Sequence, residues 1–259
     1  MLPDADKVAR LLAEIAAEEV MPYFERLGRD DIREKKPGDL VTIADVATER
    51  RLTPLLRDLL PGSLVVGEEA VAADPGVLGA LAGDTPVWLL DPIDGTANFA
   101  TGKPIFAVMA ALVCGGETVM GWIHDPVLQR TASAVRGEGA WRDGERLHVA
   151  PATGSRRLGN RRLMRRLGER GDLLDEAFEY RCAGYEYTLL ASGGAQCALY
   201  NRLHPWDHAP GHLLHREAGG YSARLDGTPY LPRDATPGLL LAPDEASWKT
   251  LREALIAAT

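Results

Sequence analysis

The chain of 259 residues is 46% apolar and 25% charged, with a formal net charge of −8. That apolar share is enough for one large domain or two of ordinary size. The acidic balance argues against general nucleic-acid binding and suits a pocket that takes up cations. No apolar run approaches the roughly 18 residues of a membrane span, so no membrane association is expected. The opening stretch is acidic and amphipathic, unlike a basic-apolar leader. Cys114, Cys182 and Cys197 show no metal-binding spacing and suit reduced thiols, which points to the cytoplasm.

Val8, Leu11, Leu12, Ile15, Ala16 and Val20 recur at helical spacing and predict one long helix over 4–27, bent near Pro22. Residues 28–39 are charged and turn-rich, which predicts a mobile loop. A second helix is expected over 44–60, stopped by Pro61-Gly62. Residues 63–67 read as a short strand ending in Glu68-Glu69, and 74–85 as a linker with a short helix. From residue 87 the pattern changes. Strands are expected over 87–90, 105–114, 118–124, 131–135 and 139–142, separated by glycine-containing turns. Two leading helices followed by a meander predict a helix layer on a mostly antiparallel sheet.

The composition shifts again near 146–155. An arginine-rich segment follows, with Arg156, Arg157, Arg161, Arg162, Arg165, Arg166 and Arg170. It reads as a junction and a surface helix, docked through Leu158, Leu163 and Leu167. A second α/β pattern comes next: strands over 178–182, 196–200, 221–225 and 238–241, and helices over 184–192, 205–218 and 245–256. Gly219-Gly220 is a good C-terminal stop for the middle helix.

The most informative stretch is Val87-Trp-Leu-Leu-Asp91-Pro-Ile-Asp94-Gly-Thr96. An apolar run reads as a buried strand, yet it ends in two carboxylates, which are costly to bury without a counter-charge. A divalent ion supplies that charge, and hard cations such as Mg²⁺ prefer oxygen ligands. Pro92 fixes the backbone so that Asp91 and Asp94 can converge, and the Ile93 carbonyl is free to join them. Gly95-Thr96 opens a turn or helix whose N–H groups can hold an anion. Cation and anion at one place point to phosphate chemistry. Three further segments put carboxylates at the ends of apolar elements: Asp39-Leu-Val-Thr-Ile-Ala-Asp45, Gly67-Glu68-Glu69 and Pro205-Trp-Asp207.

The segments GEE, WLLDPIDGTANF and PWDHAPGHLLHREAGG, in that order after DLVTIAD, resemble the signatures of the inositol monophosphatase family of metal-dependent, lithium-sensitive phosphatases. The resemblance covers roughly 10–225. It implies an α+β protein with a layered α/β/α/β/α sugar-phosphatase fold: an N-terminal metal-binding α+β domain, 1–148, and a C-terminal α/β domain, 149–259, that completes the active site. A homodimer is implied as well.

By resemblance, Glu68, Asp91 and the Ile93 carbonyl hold a first Mg²⁺, and Asp91, Asp94 and Asp207 a second, with Asp91 bridging. A third, weaker ion leans on Glu68, and Li⁺ inhibits. Thr96 and Asp45 orient the attacking water, supported by Thr42. Asp94, Gly95, Thr96, Gly184, Glu186 and Asp207 surround the substrate. The reaction implied is metal-activated attack of water on a small phosphate monoester: an inositol-phosphate-like compound, histidinol phosphate, a nucleotide or a sugar phosphate. Paired divalent ions suit it because they offset the charge that repels the nucleophile.

Two departures bear on the substrate. The family has small residues after the first glycine of its substrate loop, where this chain has Gly184-Tyr185-Glu186-Tyr187. Inositol-specific members carry a Glu at the position of Tyr200. Tyrosines near the pocket suit an aromatic or heterocyclic leaving group. The second signature also favours alanine where Pro210 stands, and proline beyond a first turn predicts a late start or a bend.

His208, His212 and His215 share one face of the predicted helix over 205–218 and form a candidate zinc site, though no Cys or upstream His supports it. The arginine-rich helix supports an alternative to catalysis, a regulatory protein of the same fold that binds RNA or protein.

Overall fold

The computed structural model describes residues 2–151, 158–168, 173–234 and 236–257. Arg156, Arg157 and Arg170 of the arginine-rich segment lie outside the described residues. The first helix, α1 (Ala5–Ile15), is capped by the Asp4 carboxylate, which accepts from Lys7 N at 2.9 Å. The helical path continues through a wider π turn at Ala16–Val20 and a tight 3-10 turn at Met21–Tyr23, so the bend falls at Pro22.

In place of the loop expected over 28–39 lies a hairpin, β1 (Ile32–Lys36) and β2 (Asp39–Thr42), paired antiparallel. The turn at Pro37-Gly38 uses a left-handed glycine, with Gly38 at φ +80°. The strand IREKK lacks apolar alternation, so its pairing rests on the backbone and leaves no periodic signal.

The chain continues with α2 (Ile43–Leu59), β3 (Leu64–Gly67), α3 (Glu68–Ala73), a 3-10 segment Pro75–Ala82, β4 (Val87–Asp94) and α4 (Thr96–Ala100). Next come β5 (Ala107–Cys114), β6 (Glu117–Asp125), β7 (Arg130–Val135), β8 (Gly139–Arg142) and β9 (Glu145–Arg146). Strands β3 to β9 form one seven-stranded sheet in sequence order, parallel only between β3 and β4.

Beyond it are β10 (Leu158–Asn160), α5 (Arg161–Leu167), β11 (Glu176–Phe178), α6 (Ala183–Ala191), β12 (Ala198–Tyr200), α7 (Pro205–Glu217), β13 (Tyr221–Arg224), β14 (Leu239–Ala242) and α8 (Glu245–Ala257). A three-stranded antiparallel sheet has the order β12-β14-β13, while β10 and β11 pair in parallel. The strand expected over 178–182 ends at Phe178; Arg181 sits at φ +57°, a left-handed conformation that breaks extended backbone. Helix α7 starts at Pro205 and runs unbroken through Pro210.

The layers follow from the apolar faces. Val8, Leu12 and Ile15 of α1 and Leu52 and Leu56 of α2 pack on Trp88, Leu90, Val108, Ala110 and Trp122 of the large sheet. The opposite face, through Ala107, Met109 and Ile123, meets Tyr187 and Leu190 of α6 and Leu213 and Leu214 of α7. Those helices also cover Ala198, Leu239 and Leu241 of the small sheet. Leu163 and Leu167 of α5, with Trp248 and Leu251 of α8, cover its far side against Leu199, Leu240 and Ala242. The result is the expected α/β/α/β/α stack. With both faces covered, β4 and β5 read as apolar runs instead of alternating ones.

Helix α7 fits between its neighbours only because of two glycines. A Cβ on Gly121 of β6 would lie 2.8 Å from Pro210 Cα, and one on Gly211 would lie 2.1 Å from the Tyr187 ring. Gly211 leaves the room that the Tyr187 ring of α6 needs. Among the described residues no helix is long and apolar enough to cross a membrane.

Candidate active site

Strand β4 ends in the DPID sequence, and its pairing with β5 slips there. Asp91 lies opposite Met109 and Asp94 opposite Ala107, so three steps on β4 match two on β5. In a regular strand, residues at i and i+3 point to opposite faces. The bulge absorbs one residue and turns both carboxylates to the same side. Gly95 then adopts φ +87° and caps α4, placing Thr96 at its first position.

Other helices bring their first turns to the same place. Asp45 lies in the first turn of α2, Glu68 in that of α3 and Asp207 in that of α7. Carboxylates in a first turn meet the positive end of the helix dipole. Glu68, Asp91, Ile93, Asp94, Gly95, Thr96 and Asp207 line one cavity of about 610 Å³. Asp39 and Trp206, from the acidic segments of the sequence, line it too, as do Lys35, Lys36, Val71, Pro75, Leu78, Arg202 and His204, none of which was singled out from the sequence. Lys35 and Lys36 were hidden in the charged hairpin, and Arg202 and His204 in a segment without periodicity.

The carboxylates are held by contacts from distant elements. Asp45 Oδ2 accepts from Thr42 N at 2.8 Å and Thr42 Oγ1 at 2.5 Å, and its Oδ1 lies 3.2 Å from Thr96 Oγ1. Thr96 Oγ1 also lies 2.8 Å from the Ile93 carbonyl. Asp94 Oδ2 accepts from Gly184 N at 2.6 Å and from Cys182 Sγ at 3.0 Å, so it caps α6 across the fold. Glu49 of α2 accepts from Glu69 N at 2.9 Å and Ala70 N at 2.8 Å and so caps α3. Lys35 Nζ donates to Glu68 at 2.7 Å and to Glu69 at 2.9 Å. Burial works against the Lys35 charge, but Glu68 and Glu69 outweigh it and raise its pKa.

Burial pushes the Asp45 carboxyl up to about 7, against the Thr42 hydrogen bonds. Burial, then Glu68, Asp94 and Asp207, push Asp91 well above the carboxylate range. Asp207 is raised likewise by burial and then by Asp94 and Glu68, and it lies within hydrogen-bonding reach of Asp91. Asp91 Oδ1 is buried without a hydrogen-bond partner. Mutually repelling oxygen donors around an unsatisfied buried carboxylate are the chemistry that a hard divalent cation relieves, so these residues fit Mg²⁺. Among the described residues no three His, Cys, Asp or Glu side chains close on one point as a finished ion cage. Glu68 is turned to Lys35 and Asp94 to α6.

Gly184 and Glu186 do not line the cavity. A Cβ on Gly184 would lie 2.9 Å from Met109 Sδ, so this glycine lets α6 approach the sheet and present its N–H to Asp94. Glu186 is buried, accepting from Tyr200 Oη at 2.9 Å and Tyr180 N at 3.3 Å, and burial raises it to about 7. The tyrosines of this region pack inside the helix layer: Tyr187 stacks on Tyr200 with ring centres 5.3 Å apart. His208 is engaged at both nitrogens, 3.0 Å from Tyr187 Oη and 2.6 Å from the Arg202 carbonyl. Burial lowers His208 to about 4, and His212 and His215 to about 3. The three histidines are therefore neutral packing groups, and they gather no metal set among the described residues.

The layered α+β fold brings carboxylates from β4, α3 and α7 to one cavity. The model of the inositol monophosphatase family matches residues 2–259, and the chain belongs to that family of phosphatases. It is 32% identical over 216 residues to a Thermotoga maritima protein named fructose-1,6-bisphosphatase/inositol-1-monophosphatase, covering 77% of this chain and 78% of that one. It is 31% identical over 246 residues to the Nus factor SuhB of Haemophilus influenzae, covering 89% and 88%. The solved structure of a Thermotoga maritima IMPase superposes with a TM-score of 0.80 at 25% identity, over 98% of both chains.

Proposed function

We propose that this protein is a Mg²⁺-dependent phosphatase that hydrolyses a small phosphate monoester by attack of water. The observation that carries the reading is the gathering of Glu68, Asp91, Asp94 and Asp207 on one cavity with Asp91 Oδ1 buried and unpartnered. Glu68, Asp91, Asp207, the free Asp94 oxygen and the Ile93 carbonyl would hold the ions. Bound Mg²⁺ would offset the substrate charge and acidify water beside it.

The chain's own groups supply the rest. Gly95 and Thr96, at the start of α4, line the cavity, and their N–H groups would suit a phosphate oxygen. Asp45, its carboxyl pushed up to about 7, would accept the Thr96 hydroxyl proton as that oxygen takes one from water. Asp94 has one oxygen committed to α6, which holds its position along the strand. Cys182, in contact with Asp94, is not set for covalent attack: it is buried, its thiol pushed up by burial and then by Asp94.

The test is phosphate release from a panel of monoesters with Mg²⁺ and with chelator. Mg²⁺-dependent turnover that disappears in Asp91→Asn, with unchanged circular dichroism, supports the reading. No Mg²⁺-dependent release from any ester, or an Asp91→Asn enzyme at full rate, overturns it.

A further inference from the structure

Helix α7 begins with a weak first turn. Its N-cap residue, His204, makes no side-chain hydrogen bond to the free N–H groups there. Pro210 lies inside the helix and has no N–H, so the Trp206 carbonyl, four residues earlier, lacks its helical donor. Pro205 presets only its own backbone angle. Yet this turn carries Trp206 and Asp207 to the cavity, and the connection before it, 201–204, carries Arg202 and His204. Helix ends fray, and a fraying turn would not hold a carboxylate in one place.

His208 supplies the missing hold. Its Nε2 lies 2.6 Å from the Arg202 carbonyl oxygen, six residues back around the helix start, and its Nδ1 lies 3.0 Å from Tyr187 Oη of α6. A carbonyl oxygen only accepts, so the proton sits on Nε2. Burial keeps the ring neutral, so Nδ1 accepts and Tyr187 donates. One arrangement of protons satisfies both bonds. Packing keeps the ring in it: His208 is buried, edge-on to Tyr187 at 5.8 Å and tilted on Tyr200 at 4.9 Å, while the two tyrosines stack on each other.

Helix α6 also holds the opposite side of the cavity. One turn before Tyr187, Gly184 N donates to Asp94 Oδ2 at 2.6 Å. The same helix therefore grips Asp94 directly, at the end of β4, and the start of α7 through His208. Its rigid turn fixes the spacing between these two holds. Mg²⁺ shared by Asp94 and Asp207 needs such a fixed spacing, because its octahedral coordination tolerates little error.

We propose that Tyr187 and His208 are a positioning pair that locks the 201–204 connection against α7 and so sets the place of Asp207 relative to Asp94. Neither residue lines the cavity, and the pair acts through the Arg202 carbonyl and through α6. The proposal rests on the reading that Asp94 and Asp207 hold Mg²⁺, and not on turnover.

The experiment titrates Mg²⁺ calorimetrically into chelator-stripped wild type, His208→Asn, His208→Gln, Tyr187→Phe and Leu251→Ala, and measures phosphate release on the same samples. The Gln amide nitrogen reaches the place of Nε2 and can still donate to the Arg202 carbonyl, whereas the Asn amide reaches only that of Nδ1. Losing a partner that orients a metal ligand lowers metal affinity about 10–100-fold, so His208→Asn should weaken Mg²⁺ binding about ten-fold or more. His208→Gln should regain a large part of that loss, and Tyr187→Phe should fall between wild type and His208→Asn. Leu251→Ala, under the far side of the small sheet, is the destabilised control and should bind Mg²⁺ as wild type does. Mg²⁺ affinity of His208→Asn within about two-fold of wild type overturns the pair. So does His208→Gln no better than His208→Asn, or an equal loss in Leu251→Ala. Should His208→Asn not fold, Tyr187→Phe, which keeps the ring, decides: unchanged Mg²⁺ binding there overturns the proposal. A wild type that binds Mg²⁺ and hydrolyses no ester leaves the pair standing while the phosphatase reading falls. A wild type that binds no Mg²⁺ removes the ion reading and the pair with it.

Discussion

Gly67→Ala tests how the cavity is held in shape. Gly67 precedes α3 with φ −98° and ψ 160°, a conformation open to alanine, so the backbone itself adds little strain. The space is the obstacle. A Cβ there would sit 2.2 Å from Glu49 Cδ and 2.3 and 2.6 Å from its two oxygens. The Glu49 carboxylate must move, and it then releases Glu69 N and Ala70 N, which it holds at 2.9 and 2.8 Å. Overpacking costs about 1–3 kcal/mol, and each hydrogen bond to a charged group is worth about 1.5–3 kcal/mol. Water can take over part of that loss, so the expected total is about 3–4 kcal/mol. At roughly 2–4 °C per kcal/mol for a chain of this size, Tm falls by about 6–16 °C. Glu68 rides on the same helix, so the Mg²⁺ concentration for half-maximal activity should rise with it. The decisive assay is a double-mutant cycle by denaturant unfolding. Glu49→Ala removes the obstructing carboxylate, and Gly67→Ala in that background should cost under about 1 kcal/mol, a coupling of about 2–3 kcal/mol or more. A Gly67→Ala protein within about 0.5 kcal/mol of wild type, or the same increment in both backgrounds, refutes the reasoning.

The Tm rise on adding Mg²⁺ to chelator-stripped protein should be larger at pH 8 than at pH 6. Glu68, Asp91, Asp94 and Asp207 are all raised in the folded chain by burial, so protons compete with the ions as pH falls. Each such group contributes stability that is full below its unfolded pKa and is lost as pH rises through the folded one, unless an ion replaces the proton. Equal shifts at the two pH values would contradict this. Asp45→Asn should lower kcat about 10²-fold or more and flatten the acidic limb of the pH–rate profile, since its carboxyl titrates near 7; a profile with its acidic limb intact would remove Asp45 as the base. Gly211→Ala, whose Cβ would strike the Tyr187 ring at 2.1 Å, should cost more than about 2 kcal/mol, and a Tyr187→Phe/Gly211→Ala pair should recover little because the ring itself remains. Full recovery in that pair would place the clash at the hydroxyl instead.

Much of the architecture was legible because apolar pattern and burial agree. The run Val87–Leu90 announced a central strand, and β4 has buried residues throughout. The pairs Val8/Leu12 and Leu52/Leu56 marked the faces of α1 and α2 that meet the sheet. The hairpin of β1 and β2 was not legible, since Ile32–Lys36 offers charge without alternation and the pairing partner lies only across a two-residue turn. For the same reason Lys35 and Lys36 went unseen at the cavity. Arg202 and His204 sit in a short connection between β12 and α7, where no period exists to say which way a side chain points. Tyr185, Glu186 and Tyr187 follow the substrate-loop glycine in the chain, yet α6 turns Glu186 and Tyr187 inward. Nearness in sequence to Gly184 said nothing about the direction of a helical side chain.

The bulge at Pro92-Ile93 shows why the motif has its spacing. With no bulge, Asp91 and Asp94 would straddle the sheet and only one could reach the cavity. With it, both arrive together and Gly95 can begin α4 at once. The acidic residues then depend on carboxylates and N–H groups that touch no substrate: Glu49 fixes the start of α3, and Gly184 fixes Asp94. Such trans-capping ties α2 to the start of α3 and β4 to the start of α6. An acidic cluster of this kind is destabilising by itself, because its members repel in a buried place. Its geometry therefore has to be supplied by the surrounding stack. A variant that relaxes the stack, such as Gly67→Ala, should weaken ion binding before it unfolds the chain.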